Sequence, residues 1–122
     1  MLKDALYKIT SSNHQEHTIN AMLELNKSNE IFTGHFPGEQ VLPGACMLQM
    51  VKEVLESTLN RPLRLKKADQ IKFPNLINPG INNILQMAIA YSPAEGKNIN
   101  VTASLSVHQN IYFKFKGTFI AL

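Results

Sequence analysis

Between Pro43 and Leu59 the chain carries one helical run that is apolar almost all the way round. Ala45, Met47, Leu48, Met50, Val51, Val54, Leu55 and Leu59 cover most of its circumference. Only Gln49, Lys52, Glu53 and Glu56 form a polar stripe, at i, i+3, i+4 and i+7. Pro43 suits the helix start, where its missing N–H costs little. A helix with so little polar surface has to be wrapped, and in a chain of 122 residues the only wrapping material is the remainder of the same domain.

That remainder alternates with period two. Ile19, Ala21, Leu23 and Leu25 alternate with Thr18, Asn20, Met22 and Glu24. Ile99, Val101, Ala103, Leu105 and Val107 do the same, and so do Ile111, Phe113 and Phe115. These segments read as half-buried antiparallel strands. Leu63 to Phe73 and Ile84 to Tyr91 are further strand candidates, and 93–96 and 108–110 are turn-like links. One buried helix, inserted after the first long strand and embraced by antiparallel strands, predicts an α+β fold. We expect a single domain over residues 1–122.

Composition narrows the function classes. With 17% charged and 44% hydrophobic residues, the chain suits a globular protein and not a disordered one. Cys46 is the only cysteine, so no internal disulfide can form; its apolar position favours a small core residue over a nucleophile. No Cys/His cluster has metal-ligand spacing, and no metal site is expected. Met1-Leu2-Lys3-Asp4 is charged at once, which predicts a cytoplasmic protein. Residues 73–94 carry no charge over 22 positions, but five Asn/Gln and three Pro argue against a membrane span. The net charge of +3 is too mild for a nucleic-acid binder. A cluster at Arg61, Arg64, Lys66 and Lys67 is either a solvated surface or a dock for an acidic partner.

The stretch Gly34-His35-Phe36-Pro37-Gly38-Glu39-Gln40-Val41-Leu42-Pro43-Gly44 leads straight into the helix. Gly and Pro fix backbone shape. A histidine with an ordinary pKa near 6.5 can act as a base at neutral pH. Rigid loop, titratable group and helix N-terminus are the parts of an acyl-group active site. The competing interpretation is a tight turn with an incidental histidine.

Gly-His-Phe-Pro-Gly, then Leu42-Pro43-Gly44, then the apolar helix resembles the beta-hydroxyacyl-acyl carrier protein dehydratase family. Phe73 and Pro79-Gly80 resemble that family's Phe…Pro-Gly segment. The similarity runs from about Tyr7 onward, and its most specific part is 34–49. The resemblance implies the hotdog fold, a long helix wrapped by a curled antiparallel sheet. It also implies a homodimer with active sites at the interface. The implied substrate is a 3-hydroxyacyl chain on the phosphopantetheine of acyl carrier protein, and the product a trans-2-enoyl thioester, in fatty acid or polyene biosynthesis. No cofactor is implied. By position, His35 matches the catalytic histidine that takes the C2 proton. Gly44 matches the glycine whose N–H holds the thioester carbonyl. Phe36 matches a place beside the acyl tunnel, and a plain core role fits it equally.

One position departs from the pattern. The family carries Glu or Asp five residues after the Pro-Gly glycine, and here Gln49 stands there. Glu53, one turn later, occupies a place where many members have Gln, so acid and amide are exchanged. An amide can hydrogen-bond a leaving hydroxyl but cannot protonate it. Glu53 is left with two roles: an acid acting at longer reach or through water, or a surface residue paired with Lys52 or solvent. Three functions follow in order: an active dehydratase using His35 with Gln49 as orienter, a hotdog thioesterase, or a non-catalytic acyl-binding or dimerising hotdog protein.

Overall fold

The computed structural model describes residues 1–32 and 41–122; His35 and Phe36 lie outside the described residues. Its elements run β1 (Tyr7–Gln15), β2 (Thr18–Leu25), a 3-10 turn (Glu30–Phe32), α1 (Gly44–Leu59), β3 (Leu63–Lys72), β4 (Ile84–Pro93), β5 (Asn98–Val107) and β6 (Asn110–Ala121). The strands form one six-stranded sheet in the order β1-β2-β4-β5-β6-β3, and every neighbouring pair is antiparallel.

The order explains the helix. The chain leaves β2 near one edge of the sheet and returns as β3 at the opposite edge. The intervening α1 therefore crosses the sheet face. Alternation supplies the surface it crosses: Leu23, Leu85, Met87, Leu105, Phe113 and Phe119 are all fully buried. Met47, Met50, Val51, Val54 and Leu55 of α1 join them in one core. Each such side chain stabilises the fold by about 1.5–3 kcal/mol when buried. The hotdog arrangement expected above is the one observed, with α1 starting at Gly44 after Pro43 as its N-cap.

Two details differ from expectation. The first strand is β1, which lacks a strong alternating pattern, so the helix follows the second strand. Ala45, counted on the apolar surface, is exposed.

The two edges are irregular. β1 has one register shift between Ile9 and Ser11. β3 has two, between Leu65 and Lys67 and between Ala68 and Gln70. Gly117 lies under these shifts, where a Cβ would overlap the Lys67 carbonyl and press on the Ala68 Cα at 3.2 Å. Only glycine lets β3 come this close to β6.

Candidate active site

The start of α1 is held by neighbours on both sides. The Leu42 N–H donates to the Ile77 carbonyl at 2.9 Å, and Ile77 is fully buried. Phe73, one residue beyond β3, lays its ring on Gly44; a Cβ there would meet the ring Cζ at 2.6 Å. The same ring packs on Phe113, with centroids 5.4 Å apart. Asn78 shapes the turn beyond, where its Oδ1 accepts from the Gly80 N–H at 2.9 Å. So the Phe73 and Pro79-Gly80 segment, matched only by motif in the sequence, sits against the helix start in space.

Among the described residues no side chain caps the helix start, and the first turn carries no acidic residue. The first N–H groups of a helix lack intrahelical acceptors, and with the helix dipole they favour negative charge. Gly44 can therefore receive a developing oxyanion. Cys46, two residues on, is buried, and burial pushes its thiol pKa up, which keeps it an inert core group.

Gln49 lies about 7.5 Å further along the axis, at 1.5 Å per residue. It is half-buried and its Nε2 donates to Glu53 Oε2 at 2.8 Å. Glu53 is neither on a solvated stripe nor paired with Lys52. It is 2% exposed. Its Oε1 accepts from the Lys3 N–H at 2.9 Å and the Tyr7 hydroxyl at 3.0 Å, and its Oε2 from the Leu2 N–H at 2.8 Å as well as from Gln49. A carboxylate has about four lone-pair sites, so all are filled. Burial alone would raise the Glu53 pKa, but the donors from Leu2, Gln49, Lys3 and Tyr7 outweigh it and hold the carboxyl below its usual value. A saturated, ionised carboxylate has neither a proton to give nor a lone pair to offer a substrate. Service as the acid, at longer reach or through water, does not fit this geometry. Tyr7 stays a phenol, because burial and the adjacent Glu53 charge push its pKa far up.

The contacts of Glu53 were not legible from spacing. Leu2 and Lys3 are 51 and 50 residues away in sequence. The only hint was an acid within a helix whose other faces are apolar.

The basic cluster falls at the other end of the helix. Arg61 follows the C-terminus of α1, about 24 Å from Gly44 for a 16-residue helix. Lys66 donates to Asn98 Oδ1, and Lys67 pairs with Asp69 at 3.2 Å. At the Gly44 end stand Lys72, the residue before Phe73, and Lys114, directly opposite it on β6. Both are exposed, and neither has an ion pair among the described residues. The described residues hold no group of three or more His, Cys, Asp and Glu that could bind a metal. Among the described residues no helix is long and apolar enough to cross a membrane.

This geometry coincides with similarity to known proteins. The chain is 28% identical over 79 residues to the 3-hydroxyacyl-[acyl-carrier-protein] dehydratase FabZ of Wolbachia pipientis, covering 59% of this chain and 55% of the relative. With the FabZ of Syntrophobacter fumaroxidans it shares 27% over 97 residues, 73% of this chain and 63% of the relative. The chain thus spans little more than half the length of the curated relatives it matches. In structure it is similar to the dehydratase heterocomplex ApeI:P from Xenorhabdus doucetiae, with a TM-score of 0.73 at 18% identity over 92% of this chain and 96% of the other. It is also similar to the uncharacterized protein PH1136 from Pyrococcus horikoshii, with a TM-score of 0.70 at 16% identity over 97% of this chain and 84% of the other. These two show the fold. The model of the ApeI-like family, described as ApeI dehydratase, matches residues 11–110, far more than half of the chain. The hotdog architecture, the helix start under Phe73 and this family match lead to one conclusion: the chain belongs to the ApeI-like dehydratase family.

Proposed function

We propose that the chain is a 3-hydroxyacyl thioester dehydratase acting on carrier-bound acyl chains. The observation that carries this is the start of α1 at Gly44, held by Leu42–Ile77 and roofed by Phe73, with Gln49 half-buried further along the same helix. Taking a proton from C2 places negative charge on the thioester oxygen, and the Gly44 N–H at the positive end of the helix stabilises it. His35 is the base in this proposal, and Phe36 lines the acyl path. Gln49 contacts the 3-hydroxyl. Glu53 acts through Gln49. Nothing in the reaction requires a metal or cofactor.

The working form is a homodimer. β3 is an edge strand exposed along Lys66–Lys72, and Ile71, Phe73, Leu76 and Ile81 are exposed at 40%, 45%, 70% and 77%. Exposed apolar side chains beside an unpaired edge suit a second copy of the chain. The acidic carrier protein docks, in this reading, at Lys72 and Lys114 and not at Arg61–Lys67, since only the former pair lies at the Gly44 end. Location in the cytoplasm fits such a substrate.

The test is turnover of 3-hydroxyacyl thioesters, on carrier protein and as short free thioesters, followed by enoyl absorbance. Wild type should form the 2-enoyl thioester, and His35→Ala should lose about 10²–10⁴ in rate with the melting temperature nearly unchanged. Release of free thiol without enoyl product would replace this reading with a thioesterase. Binding without any turnover would leave the non-catalytic one.

A further inference from the structure

The sheet face turned away from α1 holds a hollow of about 390 Å³. Its floor is built from small side chains. Ala88 and Ala90 of β4 stand opposite Ser104 and Thr102 of β5. The residues that alternate with them, Met87, Ile89 and Ala103, are buried in the core, so these four point outward. Inner strands of a sheet favour β-branched and aromatic residues, and alanine is a poor choice there. Here the small side chains leave room that larger ones would fill.

The two walls differ in charge. Asn20 and Thr18 of β2 stand beside Ala88 and Ala90 on one side. On the other, Lys114 and Lys116 of β6 stand beside Ser104 and Thr102, and Gln70 of β3 continues the wall beyond Lys116. Three strand spacings, about 14 Å, separate β2 from β6. Lys72 lies directly opposite Lys114 on β3. None of these lysines has an ion pair among the described residues, and no carboxylate lines the hollow. Asp69, the residue before Gln70, is held by Lys67 at 3.2 Å. The side chains of Asn20, Gln70, Thr102 and Ser104 make no hydrogen bond to a described residue. Thr18 gives its hydroxyl hydrogen to the Gln15 carbonyl at 2.9 Å and keeps its lone pairs. Like charges on adjacent strands work against the sheet, and a bound anion relieves that cost.

We propose that this hollow binds the phosphate monoester of a small hydroxylated molecule, with the phosphate at Lys114 and Lys116 and the hydroxyl groups across the floor toward Asn20. A phosphate monoester carries about −1.5 to −2 charge at pH 7, which matches these lysines, where a single carboxylate leaves most of their charge unbalanced. Lysine binds phosphate as a point charge and needs no fixed fork. Phosphate alone would leave most of the floor empty, and the free amides and hydroxyls there suit further hydroxyls. Phe115, the one aromatic residue at the hollow, is 2% exposed, so a nucleobase has nothing to stack on. Lys114 also belongs to the carrier dock proposed above, so a filled hollow opposes carrier docking; that consequence alone rests on the dehydratase reading.

The experiment titrates the full chain with glycerol 3-phosphate, glycerol and inorganic phosphate at matched ionic strength and follows backbone amide shifts. Glycerol 3-phosphate should saturate, move the amides of residues 88–90 and 102–104 most, and bind about tenfold tighter than inorganic phosphate, the gain of two added hydrogen bonds. Lys116→Gln should weaken it about three- to fivefold. Arg64→Gln, on β3 outside the hollow, should leave the affinity unchanged. Ala88→Leu, which fills the floor without altering charge, should abolish saturation. Should Ala88→Leu fail to fold, the contrast between Lys116→Gln and Arg64→Gln decides. Cosedimentation with phosphatidylcholine vesicles containing phosphatidic acid, lost in Lys116→Gln, would assign the same chemistry to a lipid headgroup; saturation in solution without cosedimentation assigns it to a free phosphate ester. Absence of saturation, equal affinity for phosphate and glycerol 3-phosphate, equal weakening by Lys116→Gln and Arg64→Gln, or saturation that survives Ala88→Leu overturns the proposal. None of these outcomes bears on dehydration, which is read by turnover.

Discussion

The two ends of α1 are built to opposite specifications. At the C-terminal end Glu56 gathers the chain that follows the helix. Asn60 takes the left-handed conformation at φ 54, and its N–H donates to the Glu56 carbonyl. The Arg61 N–H donates to the same carbonyl at 3.3 Å, and the Glu56 side chain accepts from the Leu63 N–H at 2.8 Å. The helix is closed there by its own neighbours, as a C-cap should be. At the N-terminal end no side chain among the described residues caps the first turn, and the Phe73 ring, half open to solvent, lies on Gly44. The two ends thus differ in how the described residues satisfy them: the C-terminal end by a left-handed cap, the N-terminal end by no side-chain cap.

Substitutions should separate the two ends. The largest stability effect belongs between them, at Glu53. Removing its charge leaves four buried or half-buried donors underused, and Glu53→Gln should destabilise the fold by about 3 kcal/mol in chemical denaturation. The pH dependence has a definite sign. The folded-state pKa lies below the unfolded one, so the stabilisation is present above about pH 4.3 and is lost as pH falls through the folded value. Glu53→Gln should flatten that acid limb. An unchanged limb would place the acid sensitivity elsewhere.

The ends themselves come next. Asn60→Val forces a β-branched residue into a left-handed site and should cost roughly 1–2 kcal/mol with turnover per folded molecule unchanged. Gly44→Ala should do the reverse. Its methyl pushes the Phe73 ring away from the helix start, and misplacement at that distance should lower turnover about tenfold with little change in melting temperature. If the two variants behave alike, the contrast between the ends is only geometric.

The smallest effect is at the rim. Lys72 and Lys114 face each other across β3 and β6, a like-charge pair that works against the sheet. Lys72→Glu should stabilise the fold by about 0.2–1 kcal/mol. It should also raise KM for carrier-bound substrate about threefold at low salt, consistent with an exposed contact, and leave a short free thioester unaffected. The same substitution at Arg64 should do neither. Equal responses at the two positions would remove the carrier dock from the Gly44 end.

The legible parts of this molecule were those that bury surface periodically. β2, β4, β5 and β6 show alternation because one face meets the core, and α1 shows apolar surface because β-strands cover it. β1 escaped because, after Tyr7 and Ile9, Thr10 to Gln15 is exposed on both faces at the edge of the sheet. A strand that buries nothing has no period to read. Glu53 escaped for a different reason. Its place in the polar stripe is correct by angle, but Leu2, Lys3 and Tyr7 close over it from the far side of the sequence. For the proposed site, the motif pointed to Gly44 and Gln49, and what sets Glu53 apart from its hydrogen-bonded neighbour Gln49 is the set of donors from Leu2, Lys3 and Tyr7 that close over it. His35, the residue on which the motif reading turns, lies outside the described structure.

The two register shifts in β3 bear on what an open sheet edge can pair with. Between them and on either side, no stretch of β3 runs more than three residues in continuous register: Leu63 to Leu65, then Lys67 and Ala68, then Gln70 to Lys72. Fibril-forming segments need about six or seven regular residues in a row. A bent edge interrupted this often is a poor template for the open-ended strand stacking of amyloid, yet it still has short regular stretches that a matching partner can satisfy. Gly117, by admitting the bulged backbone, thus shapes the edge as well as the packing beneath it.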